Sequence, residues 1–237
     1  HLSIRRQRQM CIRDRCQGGR GGGGMTVRLT RLDSGLRVVS HTMDAVETVS
    51  VGVFVAAGTR NEPAAINGVA HLLEHMAFKG TRRRSALDIA AEIEAVGGHL
   101  NAFTTREHTA YYAKVLKEDV ALAVDLLADI LQYSAFDPEE LARERSVILQ
   151  EIGQAHDTPD DVIFDHFQSV AFPDQPLGRP VLGDAERVRA MPREAIVGYM
   201  NEAYGAGAMV LAAAGKIEHD QLVALAETLF RDLRPGG

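Results

Sequence analysis

Alternating apolar and polar residues near the start of the chain predict three β-strands. Segments 26–33 and 36–43 flank Ser34-Gly35, a pair typical of a hairpin turn. A β-branched run over 48–58 follows them. Short links of this kind favour antiparallel pairing.

The period changes to that of a helix after residue 67. Val69, Leu72, Leu73 and Met76 recur at i, i+3, i+4 and i+7, which predicts a helix closed by Gly80. Further helices are predicted over 86–98, 117–133, 137–156, 159–172, 192–204 and 219–233, and further strands over 99–106, 108–116 and 208–215. This order of elements predicts an α+β fold, a mixed, largely antiparallel sheet with helices packed on it.

The first 24 residues differ in composition from the rest of the chain. They contain six arginines, one aspartate and a run of glycines, and they lack the apolar core of a secretory signal. We interpret 1–24 as a non-native or disordered leader, with Met25 as the natural start and 25–237 as one domain. A mitochondrial targeting segment is the alternative, because such segments are rich in arginine and poor in acids.

Without the leader, the chain is acidic and free of cysteine. Removing six arginines and one aspartate leaves 20 basic and 31 acidic residues, a formal net charge of −11. This charge disfavours nucleic-acid binding, since phosphate contacts need Lys and Arg. No run of apolar residues is long enough to span a membrane. Both cysteines, Cys11 and Cys16, lie in the leader, so a metal in the domain would be held by His and carboxylate groups.

The helix expected after residue 67 carries the sequence His71-Leu72-Leu73-Glu74-His75. Residues at i and i+4 share a helix face, so His71 and His75 can direct two imidazole nitrogens at one ion. Glu74 emerges beside that ion, where a carboxylate can take a proton from bound water. The order His-x-x-Glu-His is that of the inverzincins.

A third ligand is expected from the helix over 137–156. Glu144 and Glu151 are two turns apart on one face, near apolar residues such as Ile148. Two carboxylates in apolar surroundings favour a cation between them and the histidines. One of them would bind the metal and the other would orient a histidine. In the alternative interpretation, both are surface carboxylates paired with Arg143 or Arg145.

Three blocks of the sequence resemble the pitrilysin family of inverzincin metallopeptidases, in the branch of mitochondrial processing peptidase. The blocks are GVAHLLEHMAFKGT, NAFTTREHTAYYAKVL and SVILQEI, and they occur in the family's order and at its separations. The resemblance implies the metallohydrolase fold of that family. It also implies a zinc-dependent endopeptidase that hydrolyses peptides or unfolded segments with one Zn²⁺ ion.

The resemblance assigns roles to individual residues. It implies that His71, His75 and Glu151 bind zinc, that Glu74 is the general base, and that Glu144 supports catalysis nearby.

A substrate strand is also implied, formed by Asn101, Ala102, Phe103 and Thr104. An exposed strand edge offers unpaired N–H and C=O groups to an extended peptide, which gives this role a physical basis.

Members of this branch contain two homologous halves, and this chain resembles the N-terminal catalytic half. A second half or a partner subunit is therefore expected, with a dimer as the expected form and a peptide as substrate. The alternative function is a non-catalytic partner or assembly subunit of a two-subunit processing peptidase. The expected location is the bacterial cytoplasm, or the mitochondrial matrix if the leader is a targeting segment.

Overall fold

The computed structural model describes residues 27–235, so the leader assigned to 1–24 lies outside the described residues. Within them, one sheet contains six strands: β1 (Val27–Arg31), β2 (Arg37–Thr42), β3 (Thr48–Val55), β4 (His99–Thr104), β5 (Thr109–Leu116) and β6 (Met209–Gly215).

The same part of the chain forms eight α-helices: α1 (Val69–Ala77), α2 (Ala86–Ala95), α3 (Val120–Gln132), α4 (Pro138–His156), α5 (Pro159–Ala171), α6 (Ala185–Ala190), α7 (Arg193–Ala203) and α8 (His219–Leu229). Among these described helices, none is both long and apolar enough to cross a membrane.

The sheet is mixed and mostly antiparallel, in the order β1-β2-β6-β3-β5-β4. Only the β2–β6 pair among these strands is parallel. In β3, Val49, Val51, Val53 and Val55 are buried on the face that α3 covers, whereas Phe54 points to the open face. The α+β fold expected from the sequence is thus confirmed.

The helix expected over 117–133 is present: it begins as a 3-10 turn, Lys117–Asp119, and is α-helical over Val120–Gln132. One local expectation was wrong, because the sequence pattern predicted no helix between 184 and 192, where α6 forms. Asp184 starts α6 by accepting hydrogen bonds from the N–H groups of Glu186 and Arg187. Such N-capping satisfies backbone donors that a short helix leaves free.

The start of α1 is held by a close backbone contact with the loop that precedes α6. Gly68, the N-cap residue of α1, has φ of 97°, and Gly183 in the loop has φ of 80°. A Cβ atom on Gly183 would lie 2.6 Å from the Asn67 carbonyl oxygen and 2.6 Å from the Gly68 Cα atom. Only glycine fits this contact and this φ without strain.

We expect Gly183→Ala to lower the free energy of unfolding by about 2 kcal/mol or more, since the new methyl group meets backbone atoms at positive φ. Gly198→Ala is the matched control, because Gly198 lies in α7 and an added Cβ there has no neighbour within 4 Å. It should be neutral or stabilise the fold by up to about 1 kcal/mol. Urea denaturation of both variants measures the difference, and equal stabilities would contradict this account.

Candidate active site

Helix α1 presents two faces of different character. Leu72, Leu73 and Met76 are buried in the core, and the remaining face carries His71 and His75. The imidazole rings of the two histidines lie one turn apart, with centroids 4.6 Å apart and ring planes at 69°. The helical repeat that places the apolar residues in the core therefore also places the two imidazole rings on one face.

Helix α4 packs across α1 and brings Glu151 to both histidines. The Glu151 Oε2 atom is 3.7 Å from His71 Nε2 and 3.6 Å from His75 Nε2. These distances are too long for hydrogen bonds. Ligand atoms that are each about 2.0–2.1 Å from one tetrahedral ion lie roughly 3.3–3.5 Å apart. His71, His75 and Glu151 thus form a set that fits a zinc ion.

The other nitrogen of His75 contacts Glu144. His75 Nδ1 and Glu144 Oε2 are 2.9 Å apart, and Lys79 Nζ lies 2.7 Å from the second oxygen, Oε1. Burial tends to raise the pKa of Glu144, but hydrogen bonds from Lys79 and His75 outweigh it and lower this pKa. An ionised Glu144 accepts a hydrogen bond from the Nδ1–H group of His75. The Nε2 atom of His75 then has a free lone pair, available to a cation, on the side of Glu151.

His71 is available as a neutral ligand. Burial and the neighbouring His75 lower the pKa of His71 to about 3. The imidazole is consequently unprotonated at neutral pH, as a metal ligand must be. Its buried Nδ1 atom has no hydrogen-bond partner among residues 27–235, so the ring is held by packing.

Glu74 lies between this cluster and strand β4. The Thr104 hydroxyl donates a hydrogen bond to Glu74 Oε2 at 2.5 Å. Burial raises the pKa of Glu74, and the charge of Glu151 adds to this effect, while Thr104 opposes it. A carboxylate with a raised pKa binds a proton more readily than an exposed one, as a general base requires.

Strand β4 is an edge of the sheet, and its alternate residues have different surroundings. Thr105 N–H donates to His108 O at the turn, so the register directs the backbone groups of Phe103 and Asn101 at β5. The backbone N–H and C=O groups of Ala102 face away from β5. Its N–H donates a hydrogen bond of 2.8 Å to the side-chain oxygen of Asn101. The predicted substrate strand therefore has an open edge at Ala102, while Thr104 is directed at Glu74.

Glu62 holds the start of α1 and was not found from the sequence. Its buried carboxylate accepts hydrogen bonds from Asn67 Nδ2 at 2.7 Å, Gly68 N at 2.9 Å and Ala70 N at 2.8 Å. Burial raises the pKa of Glu62, although these three donors favour its charged form. Anionic groups are favoured at helix N-termini, so Glu62 fixes the position from which His71 and His75 extend.

The structure brings together all of the predicted metal and acid–base residues. His71, Glu74 and His75 lie on α1, and Glu144 and Glu151 on α4 face them.

The arginines offered as alternative partners for the two glutamates bind elsewhere. Arg143 pairs with Glu140, and Arg145 donates to the Met191 carbonyl oxygen.

The sequence analysis also did not find Lys79, which pairs with Glu144, although a lysine just after the C-terminus of a helix is a recognisable signal.

Models of two related domain families match this chain. The model described as insulinase, peptidase family M16, matches residues 37–185, and that of the peptidase M16 inactive domain matches 190–237. The chain belongs to the M16 peptidase family. The expected resemblance to pitrilysin-like peptidases is confirmed.

Curated relatives of this M16 chain include bacterial and mitochondrial proteins. An uncharacterized zinc protease of Rickettsia felis is 43% identical over 208 residues, covering 88% of this chain and 50% of the relative. A probable mitochondrial-processing peptidase subunit beta of Arabidopsis thaliana is 47% identical over 206 residues, covering 87% and 39%. This chain thus spans half or less of the length of these two relatives.

Solved structures share the fold at low sequence identity. A protease from Helicobacter pylori superposes with a TM-score of 0.84 at 23% identity, covering 89% of this chain and 51% of that one. A peptidase M16 inactive domain from Pseudomonas fluorescens gives 0.82 at 20% identity, covering 90% and 52%.

We expect Glu62→Ala to lower the free energy of unfolding by about 3 kcal/mol, because it leaves three buried N–H donors without an acceptor. Glu107→Ala is the control, since Glu107 forms an exposed ion pair with Arg60. Its loss should change stability by less than about 1 kcal/mol. Urea denaturation of both variants measures the difference. Similar losses of unfolding free energy in the two variants would contradict the stabilising role of Glu62 at the start of α1.

Proposed function

We propose that this chain is the catalytic half of a zinc-dependent endopeptidase. The observation that carries the proposal is the convergence of His71 Nε2, His75 Nε2 and Glu151 Oε2, beside the carboxylate of Glu74. Zinc proteases among the curated relatives support the same metal. The chemistry of the donor set, two neutral imidazoles and one carboxylate, is that of open catalytic zinc sites.

In this proposal, His71, His75 and Glu151 hold one zinc ion. A zinc ion there would supply Lewis-acid chemistry, lowering the pKa of water and polarising the scissile carbonyl group. Glu144 is a positioning residue: it holds the Nδ1 proton of His75, and Lys79 holds Glu144.

Glu74 accepts the proton that the attacking water loses. Its Oε2 atom is engaged by Thr104, so Oε1 is the oxygen that takes the proton. The proton is then available for the amine that leaves when the peptide bond breaks. The raised pKa of Glu74 suits both steps, since the group must bind the proton and release it.

The substrate lies as an additional strand along β4. The outward N–H and C=O groups of Ala102 supply hydrogen bonds, and the Asn101 side chain moves away from the Ala102 N–H as the peptide binds. The Phe103 backbone keeps β4 attached to β5. Because Thr104 joins this strand to Glu74, binding along β4 places a peptide bond next to the general base.

A non-catalytic partner subunit is the second candidate function. It is favoured by the match of residues 190–237 to the inactive-domain model. None of the proposed metal ligands lies in that segment. Zinc binding and peptide hydrolysis therefore separate the two functions.

Zinc content tests the metal ligands. Purified wild-type chain should bind one zinc ion per molecule by elemental analysis, and Glu151→Ala should lose it. Glu144→Gln should weaken zinc binding by about 10- to 100-fold in chelator competition, because it acts through His75. Glu139→Gln, an exposed residue of α4, is the control and should bind like wild type. A wild-type chain without zinc would overturn the assignment.

Peptide hydrolysis tests the general base. We expect Glu74→Gln to retain zinc but to lower kcat for a fluorogenic peptide by about 10²- to 10⁴-fold. Glu94→Gln, on the exposed side of α2, should leave kcat unchanged. If the zinc-loaded wild type hydrolysed no peptide even when assayed together with a second half of this fold, the non-catalytic function would be favoured instead. If Glu74→Gln were as active as wild type, Glu74 would not be the base.

A further inference from the structure

A cleft lies beside the start of α1, and none of the proposed metal ligands lines it. It is formed by the ends of α4 and α5 and by the segment 172–187, which leads into α6, and its volume is about 750 Å³. Ligand pockets in proteins have volumes of roughly 300–1,000 Å³. The cleft is therefore large enough for a small organic molecule or for the end of a peptide.

Asn67 presents an unused hydrogen-bond acceptor to this cleft. The residue is only 2% exposed, and its Nδ2 atom donates to Glu62 Oε2 at 2.7 Å and to the Pro180 carbonyl oxygen at 3.3 Å. A carbonyl oxygen can only accept, so these contacts fix the orientation of the amide group. The Oδ1 atom accepts no hydrogen bond from residues 27–235, and it is reached through the cleft that Asn67 lines. Such an oxygen favours a ligand that supplies an N–H group.

Arg179 presents unused donors to the same cleft. Its Nη1 atom donates to the Glu62 carbonyl oxygen at 2.7 Å, and within the described part of the chain its guanidinium group forms no ion pair. A guanidinium group has several N–H donors in one plane, so donors remain available on this half-buried side chain. Planar donors of this kind match the two oxygens of a carboxylate.

Glu62 fixes the positions of these two groups relative to each other. Its carboxylate binds Asn67 and its carbonyl oxygen binds Arg179. Asn67 is also bonded to Pro180, the residue that follows Arg179. One acceptor and one set of donors are thus held side by side before a ligand binds, and such preorganisation lowers the entropy lost on binding.

The other charged side chains of the cleft are exposed. They are Arg187, His156, Asp174 and Asp184. Asp184 already accepts hydrogen bonds from backbone N–H groups of α6 through its Oδ1 atom. Solvent and salt screen exposed charges more than a half-buried one, so the guanidinium group inside the cleft determines its preference for an anion.

We propose that this cleft binds the C-terminal residue of a peptide, or a free N-acyl amino acid that carries the same groups. The carboxylate binds Arg179, with Arg187 near it at the mouth of the cleft, and the amide N–H donates to Asn67 Oδ1. In such a ligand both groups are attached to one Cα atom, as the adjacent positions of Arg179 and Asn67 require. The site is separate from the zinc ligands and does not depend on the proposed peptidase activity.

Isothermal titration calorimetry of the full chain, as purified and after treatment with a chelator, tests this proposal. N-acetyl-trialanine should bind with a millimolar or lower dissociation constant. The same peptide with a C-terminal amide should bind about 10- to 100-fold more weakly, because it lacks the charge that Arg179 recognises. The affinity should be unchanged by the chelator. N-acetylalanine distinguishes the two sources: an affinity equal to that of the tripeptide indicates a free N-acyl amino acid, and a weaker one indicates a peptide end.

Variants of the arginines locate the binding site. Arg179→Gln should lower the affinity for N-acetyl-trialanine by about 10- to 100-fold. Arg187→Glu tests the same site without replacing a half-buried side chain, and it should lower the affinity about 10-fold or more because it repels the carboxylate. Arg189→Glu is the matched control: Arg189 is exposed on the same helix but does not line the cleft, so this variant should bind like wild type. Circular dichroism checks that each variant is folded, and Arg187→Glu decides if Arg179→Gln is not.

Equal affinities for the acid and the amide would overturn the proposal, as would a wild type that binds neither N-acetyl-trialanine nor N-acetylalanine at millimolar concentrations. Binding that is lost on chelation would place the peptide at the metal and also contradict it. Equal losses of affinity in Arg187→Glu and Arg189→Glu would show general charge attraction instead of a defined site.

Discussion

The crossing of α1 and α4 is the contact on which the candidate site depends. Leu72 and Leu73 of α1 and Ile148 of α4 are buried in one apolar core, and this burial fixes the distance between the two helices. The polar residues on the adjoining faces are then brought within contact distance. Close packing leaves little freedom for such helices to shift, so the apolar contacts determine the geometry of the polar ones.

Burial of the polar residues in the candidate site costs free energy of folding. Glu144 is buried, and His71 has a buried nitrogen atom without a partner in the described part of the chain. Burial of such groups costs free energy unless hydrogen bonds or a cation compensate for it. Lys79 compensates Glu144 through an ion pair, while the His71–Glu151 side is compensated by no cationic side chain among residues 27–235. Burial without a compensating partner on the His71–Glu151 side lowers the stability of the fold, which is typical of functional sites.

Much of the candidate site was predictable because it depends on the spacing of residues within single helices. His71, Glu74 and His75 share one helix, and the seven-residue interval from Glu144 to Glu151 places both on one face of another. Which glutamate faces which histidine nitrogen depends on how two helices cross, and residue spacing does not encode that. Family resemblance implied that Glu151 is a metal ligand, and this role stays a prediction; the structure places its Oε2 atom 3.7 Å and 3.6 Å from the Nε2 atoms of His71 and His75.

Glu62 escaped detection for a different reason. It is a single acid in a loop, without a periodic neighbour, and its importance comes from the three donors that the fold brings to it. The sequence also did not show that α5 exposes the apolar side chains Ile163, Phe164, Phe167 and Val170, because a helical period gives a helix two faces but does not say which one is buried. Sequence patterns predicted the strands, but the order of those strands in the sheet is a non-local property.

That order has a consequence for how the protein is made. Strand β6 separates β2 from β3, yet it is the last of the six described strands to be synthesised. Until residue 215 has been synthesised, β1–β2 and β3–β5–β4 lack the strand that joins them. Contacts between residues so far apart in sequence form slowly. The nascent chain therefore carries its complete His-x-x-Glu-His motif long before it has a continuous sheet to support it, and the cleft matures only when synthesis of this domain is nearly finished.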